Sequence, residues 1–272
     1  MIPIRNLVIV IACALLAAPA PAAASAPAPK PAPSAATVPG VTNTPPSSLP
    51  AFPYPGDGQR SKGGATLRLV EVGRKRTPGT VEVDYRLEGA AFPRGKVYRL
   101  WQLALDGPPE ALCGALRADS SGALVPDDVA AADEASLCGS FADIELGAYE
   151  YLPGEPYRVA IISTDDSVSA VATAFPQPIE AADGPHRILL EMSSPDRRSF
   201  TLWGVGFGKD VTLTTLLTSA GETFQGGAFT DSAGVVRIQL NAPEGAPGGI
   251  ASYEVRGAGG HPKVTYRWGG AP

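Results

Sequence analysis

Short apolar runs that alternate with polar residues and stop at glycine or proline turns recur from about residue 66 to residue 268. The clearest is 81–88, where Val81, Val83, Tyr85 and Leu87 alternate with four charged residues. This period of two predicts a strand with one face inside and one in water. We expect further strands in this part of the chain at 66–72, 97–105, 157–163 and 168–175.

A second series of strands follows a stretch that carries Pro176, Pro178 and Pro185. Proline cannot donate to a sheet ladder, so we expect a domain boundary there. The later strands are expected at 187–192, 199–205, 211–218, 223–229, 235–240, 250–255 and 264–268. Seven strands in about eighty residues is typical of an immunoglobulin-like sandwich. The predicted fold class is therefore all-β, with two tandem immunoglobulin-like antiparallel β-sandwiches at 64–180 and 186–269.

The first 63 residues contain no such pattern. Arg5, an apolar run over 7–18 and small residues up to Ala24 have the layout of a secretory signal peptide, 1–24. Residues 25–63 are rich in proline and alanine. Such a segment cannot bury enough apolar surface to offset the entropy that it would lose on ordering, so we expect a disordered linker. The residues ending at Cys13 also resemble the lipobox of bacterial lipoproteins, so the alternative is a membrane anchor at a lipidated Cys13.

Two cysteines remain in the expected mature chain, Cys113 and Cys138. An even pair in a chain bound for an oxidising compartment predicts a disulfide. A catalytic thiol is the alternative, although neither cysteine has a histidine near it in sequence. Residues 126–135 carry the one helix pattern, with acidic residues in its first turn. We expect a disulfide-bridged insertion containing a short helix, and its Asp127, Asp128, Asp133 and Glu134 are our first candidates for an interaction surface, with Trp101 as a weaker one.

Two local motifs resemble known modules. The segment 151–163 resembles the penultimate strand of fibronectin type III domains, which follows a Leu-x-Pro-Gly corner and opens with a tyrosine. The matching positions are Leu152, Pro153, Gly154, Tyr157, Val159 and Ile161. The resemblance implies that the Tyr157 hydroxyl bonds back to the backbone. The Gly204-x-Gly206-Phe207 stretch before Val211 is similar to IPT/TIG-type modules of bacterial exported proteins.

Candidate chemistry is sparse. The net charge is −5 and no basic cluster is present, which argues against a nucleic-acid partner. His186 and His261 fall in expected loops and match no catalytic motif. The doublets Asp127-Asp128 and Asp165-Asp166 match neither a calcium loop nor a paired-carboxylate spacing. We expect no cofactor and no metal.

The sequence thus favours an exported, non-enzymatic protein of the cell envelope, periplasmic or extracellular, that binds an envelope protein or a glycan through β-sandwich modules. One alternative is a glycan- or peptide-directed hydrolase that uses carboxylates of the insertion. Another is a lipoprotein accessory subunit of an envelope assembly.

Overall fold

The computed structural model describes residues 51–78, 80–127 and 145–270. These residues form antiparallel β-sheets, and the one helix among them is α1 (Gly56–Arg60). The predicted all-β class is confirmed at this level. Four sheets are present, and their buried side chains collect into two separate apolar cores. We call the parts built around these cores the N-terminal unit and the C-terminal unit.

The N-terminal unit contains eight strands within 51–78, 80–127 and 145–174. They are β1 (Thr66–Thr77), β2 (Thr80–Ala90), β3 (Val97–Gln102), β4 (Glu110–Ala118), β5 (Leu124–Pro126), β6 (Glu145–Ala148), β7 (Tyr157–Ser163) and β8 (Ser169–Ala174). One sheet has the order β1-β2-β6 and the other β5-β4-β3-β7-β8. Both sheets contribute to one core, in which the rings of Tyr85 on β2 and Tyr157 on β7 stack with centroids 5.7 Å apart.

The alternation that predicted β2 is found in its packing. Val83, Tyr85 and Leu87 are buried in the core. The strand expected at 66–72 is longer than predicted, because β1 continues to Thr77 and pairs with β2 along its length. A register shift between Glu71 and Gly73 leaves Val72 exposed, and this bulge lets the hairpin continue past the end of the apolar pattern.

The segment expected to be an insertion contributes to both sheets. β4 pairs with β3, and β6 pairs with β2 in the other sheet. The strand β4 escaped prediction because its pairing with β3 shifts register twice near Leu100, which breaks the period of two. Residues 128–144, which hold most of the predicted helix, lie outside the described residues.

The C-terminal unit also contains eight strands. They are β9 (Ile179–Asp183), β10 (His186–Met192), β11 (Ser199–Val205), β12 (Thr212–Ser219), β13 (Glu222–Phe229), β14 (Val236–Asn241), β15 (Gly248–Arg256) and β16 (Lys263–Gly269). The two sheets have the orders β14-β11-β10-β9 and β13-β12-β15-β16, and both supply the second core. Each of the seven predicted strands has a counterpart here.

The strand β9 was not expected. Its residues fall across the end of the first predicted domain and the predicted connection, yet β9 forms a tight hairpin with β10 in which His186 pairs with Asp183. The chain therefore passes from one unit to the other between Ala174 and Ile179. Pro176 and Pro178 precede the new strand rather than interrupt it, and Gly184, with φ of 58°, permits the turn.

Candidate interdomain site

The segment from Ala51 to Gly63, expected to be the end of a disordered linker, packs against the folded body. The Asp57 carboxylate accepts hydrogen bonds from the backbone N–H of Thr173 at 3.0 Å and from its hydroxyl at 2.6 Å. The Ser61 hydroxyl accepts from the N–H of Val171 at 3.0 Å. These bonds fix the segment along β8, whose outer edge would otherwise be unpaired at these positions.

Glu191 on β10 joins this segment to both units. Its carboxylate, buried with 4% of the residue exposed, accepts from the Tyr54 hydroxyl at 2.6 Å and from the Trp203 indole N–H at 2.5 Å. It also forms an ion pair with the Arg158 guanidinium from β7, and Arg60 lies 3.6 Å away. We call Tyr54, Arg60, Arg158, Glu191 and Trp203 the Glu191 cluster.

The strand periods explain why these side chains meet. On β7, Tyr157, Val159 and Ile161 enter the N-terminal core, so Arg158 lies on the opposite face. On β10, Ile188, Leu190 and Met192 enter the C-terminal core, so Leu189 and Glu191 lie on the opposite face. The Glu191 cluster forms where these two outer faces come together.

Burial sets the protonation of the groups that surround Glu191. Removal from water, with the nearby Glu191 charge, raises the pKa of Tyr54 to about 12. Burial also raises the pKa of Asp57, although the hydrogen bonds from Thr173 oppose the shift. The phenol of Tyr54 is therefore a donor at neutral pH.

The predicted corner motif also lies between the units. The N–H of Gly154 donates to Gln177 O at 2.8 Å, and Gly154 O accepts from the N–H of Met192 on β10 at 2.7 Å. Leu152 packs against the C-terminal core. Gly154 has φ of 78°, and an added Cβ would lie 3.1 Å from Leu190 O, so this glycine permits the close approach of the two backbones.

The tyrosine that bonds back to the backbone is not the one implied by the resemblance. Tyr157 is buried at the start of β7, and no hydrogen bond from its hydroxyl to the backbone is found in the described part of the chain. Instead the Tyr98 hydroxyl on β3 donates to Pro93 O at 2.7 Å, five residues upstream. This bond secures the chain as it enters the sheet.

A pocket of about 250 Å³ opens beside the Glu191 cluster. Its walls come from the N-terminal segment, from both units and from the outer face of β14. They are formed by Arg60, Leu105, Arg158, Glu191, Ser193, Thr201, Arg237 and Gln239. Glu191 is the one carboxylate among them.

The predicted interaction residues are not in this site. Asp127 follows β5, and its N–H donates to Ala115 O at 3.0 Å. Trp101 is half-buried on β3, while Tyr98 and Leu100 fill the core. Cys113 is buried on β4. Asp128, Asp133, Glu134 and Cys138 lie outside the described residues, so the interaction surface and the disulfide stay predictions.

The other candidate groups stabilise turns and packing. A hydrogen bond from Lys96 at 2.5 Å, with others from Ser163 and Ser167, lowers the pKa of Asp165. His186, expected in an exposed loop, is 3% exposed and stacks on Phe207 at 4.4 Å. Its ring nitrogens lie 2.9 Å from Gly206 O and 3.0 Å from Ala258 O. His186 begins β10, which starts one residue before the strand expected at 187–192.

Glu191 was missed by reasoning from sequence, although a signal existed. The segment 188–192 reads Ile-Leu-Leu-Glu-Met, so apolar residues fall on both faces of the strand. A strand covered on both faces places its single carboxylate in a buried environment, where a charge requires partners.

Comparisons with known proteins give little beyond this geometry. No family model matches the chain, and no curated protein matches it. Among solved structures, the chain is similar to the tetra-tandem repeat in the extending region of a large adhesion protein, with a TM-score of 0.25 and 10% identity. The match covers 76% of this chain and 49% of that one, so the chain spans about half the neighbour's length.

No helix of the described part is long and apolar enough to cross a membrane. Within the same residues, no group of three or more His, Cys, Asp or Glu side chains is arranged to hold a metal.

Proposed function

We propose that this chain is an exported, non-enzymatic protein of the cell envelope whose two immunoglobulin-like sandwiches act together as one rigid binding or structural element. The observation that carries the proposal is the joint between the units. Buried polar groups are costly unless they are paired, and here Glu191, Arg158, Tyr54 and Trp203 pair with one another across that joint. Such a joint holds two modules in a fixed relation, as an extended contact surface requires.

Export is supported by the leader pattern of residues 1–24 and the proline-rich stretch that follows. The hydrolase alternative gains no support from the pocket beside the Glu191 cluster. Glycoside hydrolysis uses two carboxylates about 5 to 10 Å apart. This pocket offers Glu191 alone, already engaged by Arg158, Tyr54 and Trp203.

The experiment is a test of export followed by a test of binding. The full chain is expressed in a bacterial host, the exported fraction is purified, and its N-terminal mass is measured. We expect a start at Ser25, whereas a diacylglyceryl Cys13 would indicate the lipoprotein instead. The purified protein is then sedimented with isolated cell walls, and the supernatant is assayed for released sugars and peptides. Co-sedimentation without release supports the proposal. Release of fragments, or failure to be exported, contradicts it.

A further inference from the structure

We propose that the pocket beside the Glu191 cluster binds a small oxyanion, a phosphate or a compact dicarboxylate. The proposal does not depend on export or on a cell-wall partner. It rests on the charge of the pocket, on a buried donor that has no acceptor, and on the size of the space.

The charge of the pocket is positive. Arg60, Arg158 and Arg237 line it, against the single carboxylate of Glu191. Asp57 also acts electrostatically on Arg60 and Arg158, but it is held by Thr173 on β8 and is not among the lining residues. Three guanidinium groups therefore face two carboxylates at most. An excess positive charge in a partly enclosed space favours an anion, because the surrounding protein screens it less than water does.

Two of the arginines have donors to spare. Arg158, with 9% of its surface exposed, gives its Nη2 to Glu191, while its buried Nε has no acceptor among the described residues. Leaving a buried N–H unpaired is costly, and the arginine that carries this one lines the pocket. Arg237 lies over the Trp203 ring at 5.1 Å and makes no ion pair with a described carboxylate. Its planar fork matches two oxygens of one anion.

The remaining wall suits the same ligand. The Thr201 hydroxyl donates to Gln239 Oε1 at 3.1 Å, and Gln239 Nε2 donates to Ser199 Oγ at 2.7 Å, which leaves the second amide N–H of Gln239 as a donor in this wall. The volume of about 250 Å³ is below the usual range of pockets for drug-sized ligands, so the site fits a small anion rather than a large cofactor.

The full chain is titrated with inorganic phosphate and, separately, with malonate. Isothermal titration calorimetry at constant ionic strength measures the binding. Constant ionic strength removes general screening as a cause of the signal. We expect saturable binding of at least one anion, with one site per chain. Whichever binds more tightly shows whether a phosphate or a carboxylate pair is the better occupant.

Variants link the binding to the pocket. R237Q removes an exposed guanidinium that lies over the Trp203 ring, and we expect it to weaken binding about tenfold. R237K should bind with intermediate affinity because it keeps the charge and loses the fork. R256Q, on β15 of the other sheet, is the matched control and should bind as the parent does. The absence of binding by both anions overturns the proposal, as does equal binding by R237Q.

A second readout covers the case in which R237Q does not fold. The Nε–H resonance of Arg158 is followed in a ¹H–¹⁵N spectrum of the parent chain during the same titrations. A shift that saturates with the calorimetric isotherm supports the proposal. A resonance that does not move while anion binds places the ligand elsewhere and overturns it.

Discussion

The Tyr54 hydroxyl donates to the Glu191 carboxylate at 2.6 Å, although 137 positions of chain separate the two residues. The Tyr54 ring also makes edge-to-face contacts with Phe175 of the connection between the units and with Trp203 of β11. The ring centroids are 5.4 and 5.3 Å apart, respectively. Tyr54, which precedes the first strand, thus contacts both the connection and the C-terminal unit. The stability of the joint should therefore depend on Tyr54.

Replacing Tyr54 with phenylalanine should destabilise the protein. Y54F keeps the ring packing and removes a hydrogen bond to a buried carboxylate, so we expect a loss of about 1.5–3 kcal/mol in the free energy of unfolding. Urea denaturation measures it. The control is Y151F, which removes a neutral hydrogen bond between Tyr151 and Gln102 and should cost about 0.5–1.5 kcal/mol. Equal losses in the two variants would contradict a special role for the bond to Glu191.

The same phenol predicts how stability changes in alkali. The pKa of Tyr54 is raised from 10.0 to about 12, so the folded state holds this proton more tightly than the unfolded chain does. The stabilisation from Tyr54 is complete below about pH 10 and is lost as the pH rises towards about 12. Other buried tyrosines act in the same direction, so the quantity to measure is the difference in Tm between the parent and Y54F. That difference should shrink over this range, and a constant difference would show that folding does not raise the pKa of this phenol.

Replacing Glu191 with glutamine should be more damaging than Y54F. E191Q leaves the Arg158 guanidinium buried without its counter-charge, which costs about 3–5 kcal/mol when a buried ion pair loses one partner. The control is E88Q, which removes an exposed carboxylate paired with Arg68 and Arg86 and should leave the unfolding transition unchanged. Thermal unfolding of the two variants side by side makes the comparison, and an E191Q transition at the parent temperature would contradict it.

Replacing Gly154 with alanine should weaken the contact between the units. Both Gly154 and Gly245 have left-handed backbones, with φ of 78° and 75°. A Cβ at Gly245 meets nothing within 4 Å, whereas one at Gly154 lies 3.1 Å from Leu190 O. G245A should cost about 1 kcal/mol from backbone strain alone, and G154A should cost more. Hydrogen exchange at the Met192 amide, which bonds to Gly154 O, should quicken in G154A and not in G245A. Unchanged exchange in both would mean that the contact tolerates the extra carbon.

The predicted Cys113–Cys138 disulfide can be tested by peptide mapping without reduction. The bond would close a loop of 25 positions, and C138S should lower the free energy of unfolding by roughly 3 kcal/mol. Reduction of the parent should produce a similar loss and leave C138S unaffected. Two cysteines that react with maleimide in the unfolded, unreduced protein would contradict the bond.

The strands with regular alternation could be predicted from sequence, and the site could not. Strands such as β2 and β14 show the alternation clearly because one side of each faces a core and the other is more exposed. The alternation of β4 is interrupted because its pairing with β3 shifts register twice. The residues of β9 were assigned to a connection because prolines precede them. Local chemistry indicates such strands poorly, because pairing with distant strands determines them.

The Glu191 cluster was beyond prediction for a related reason. Tyr54, Arg158, Glu191 and Trp203 come from four separate segments, and no sequence motif marks them as a group. The proline content of residues 25–63 indicated a spacer, yet its final part is held by side-chain bonds that the composition does not reveal. Only the meeting of the two outer faces makes these residues neighbours.

The docked segment also determines where mechanical load enters the protein. A pull on the chain before Ala51 reaches Tyr54 and Asp57 before it reaches any strand, and these residues are bonded to β10 and β8. Tension on a tethered N-terminus would therefore act first on the bonds that hold this segment to β8 and β10. Detachment of the segment would add length to the molecule before the load reached β1.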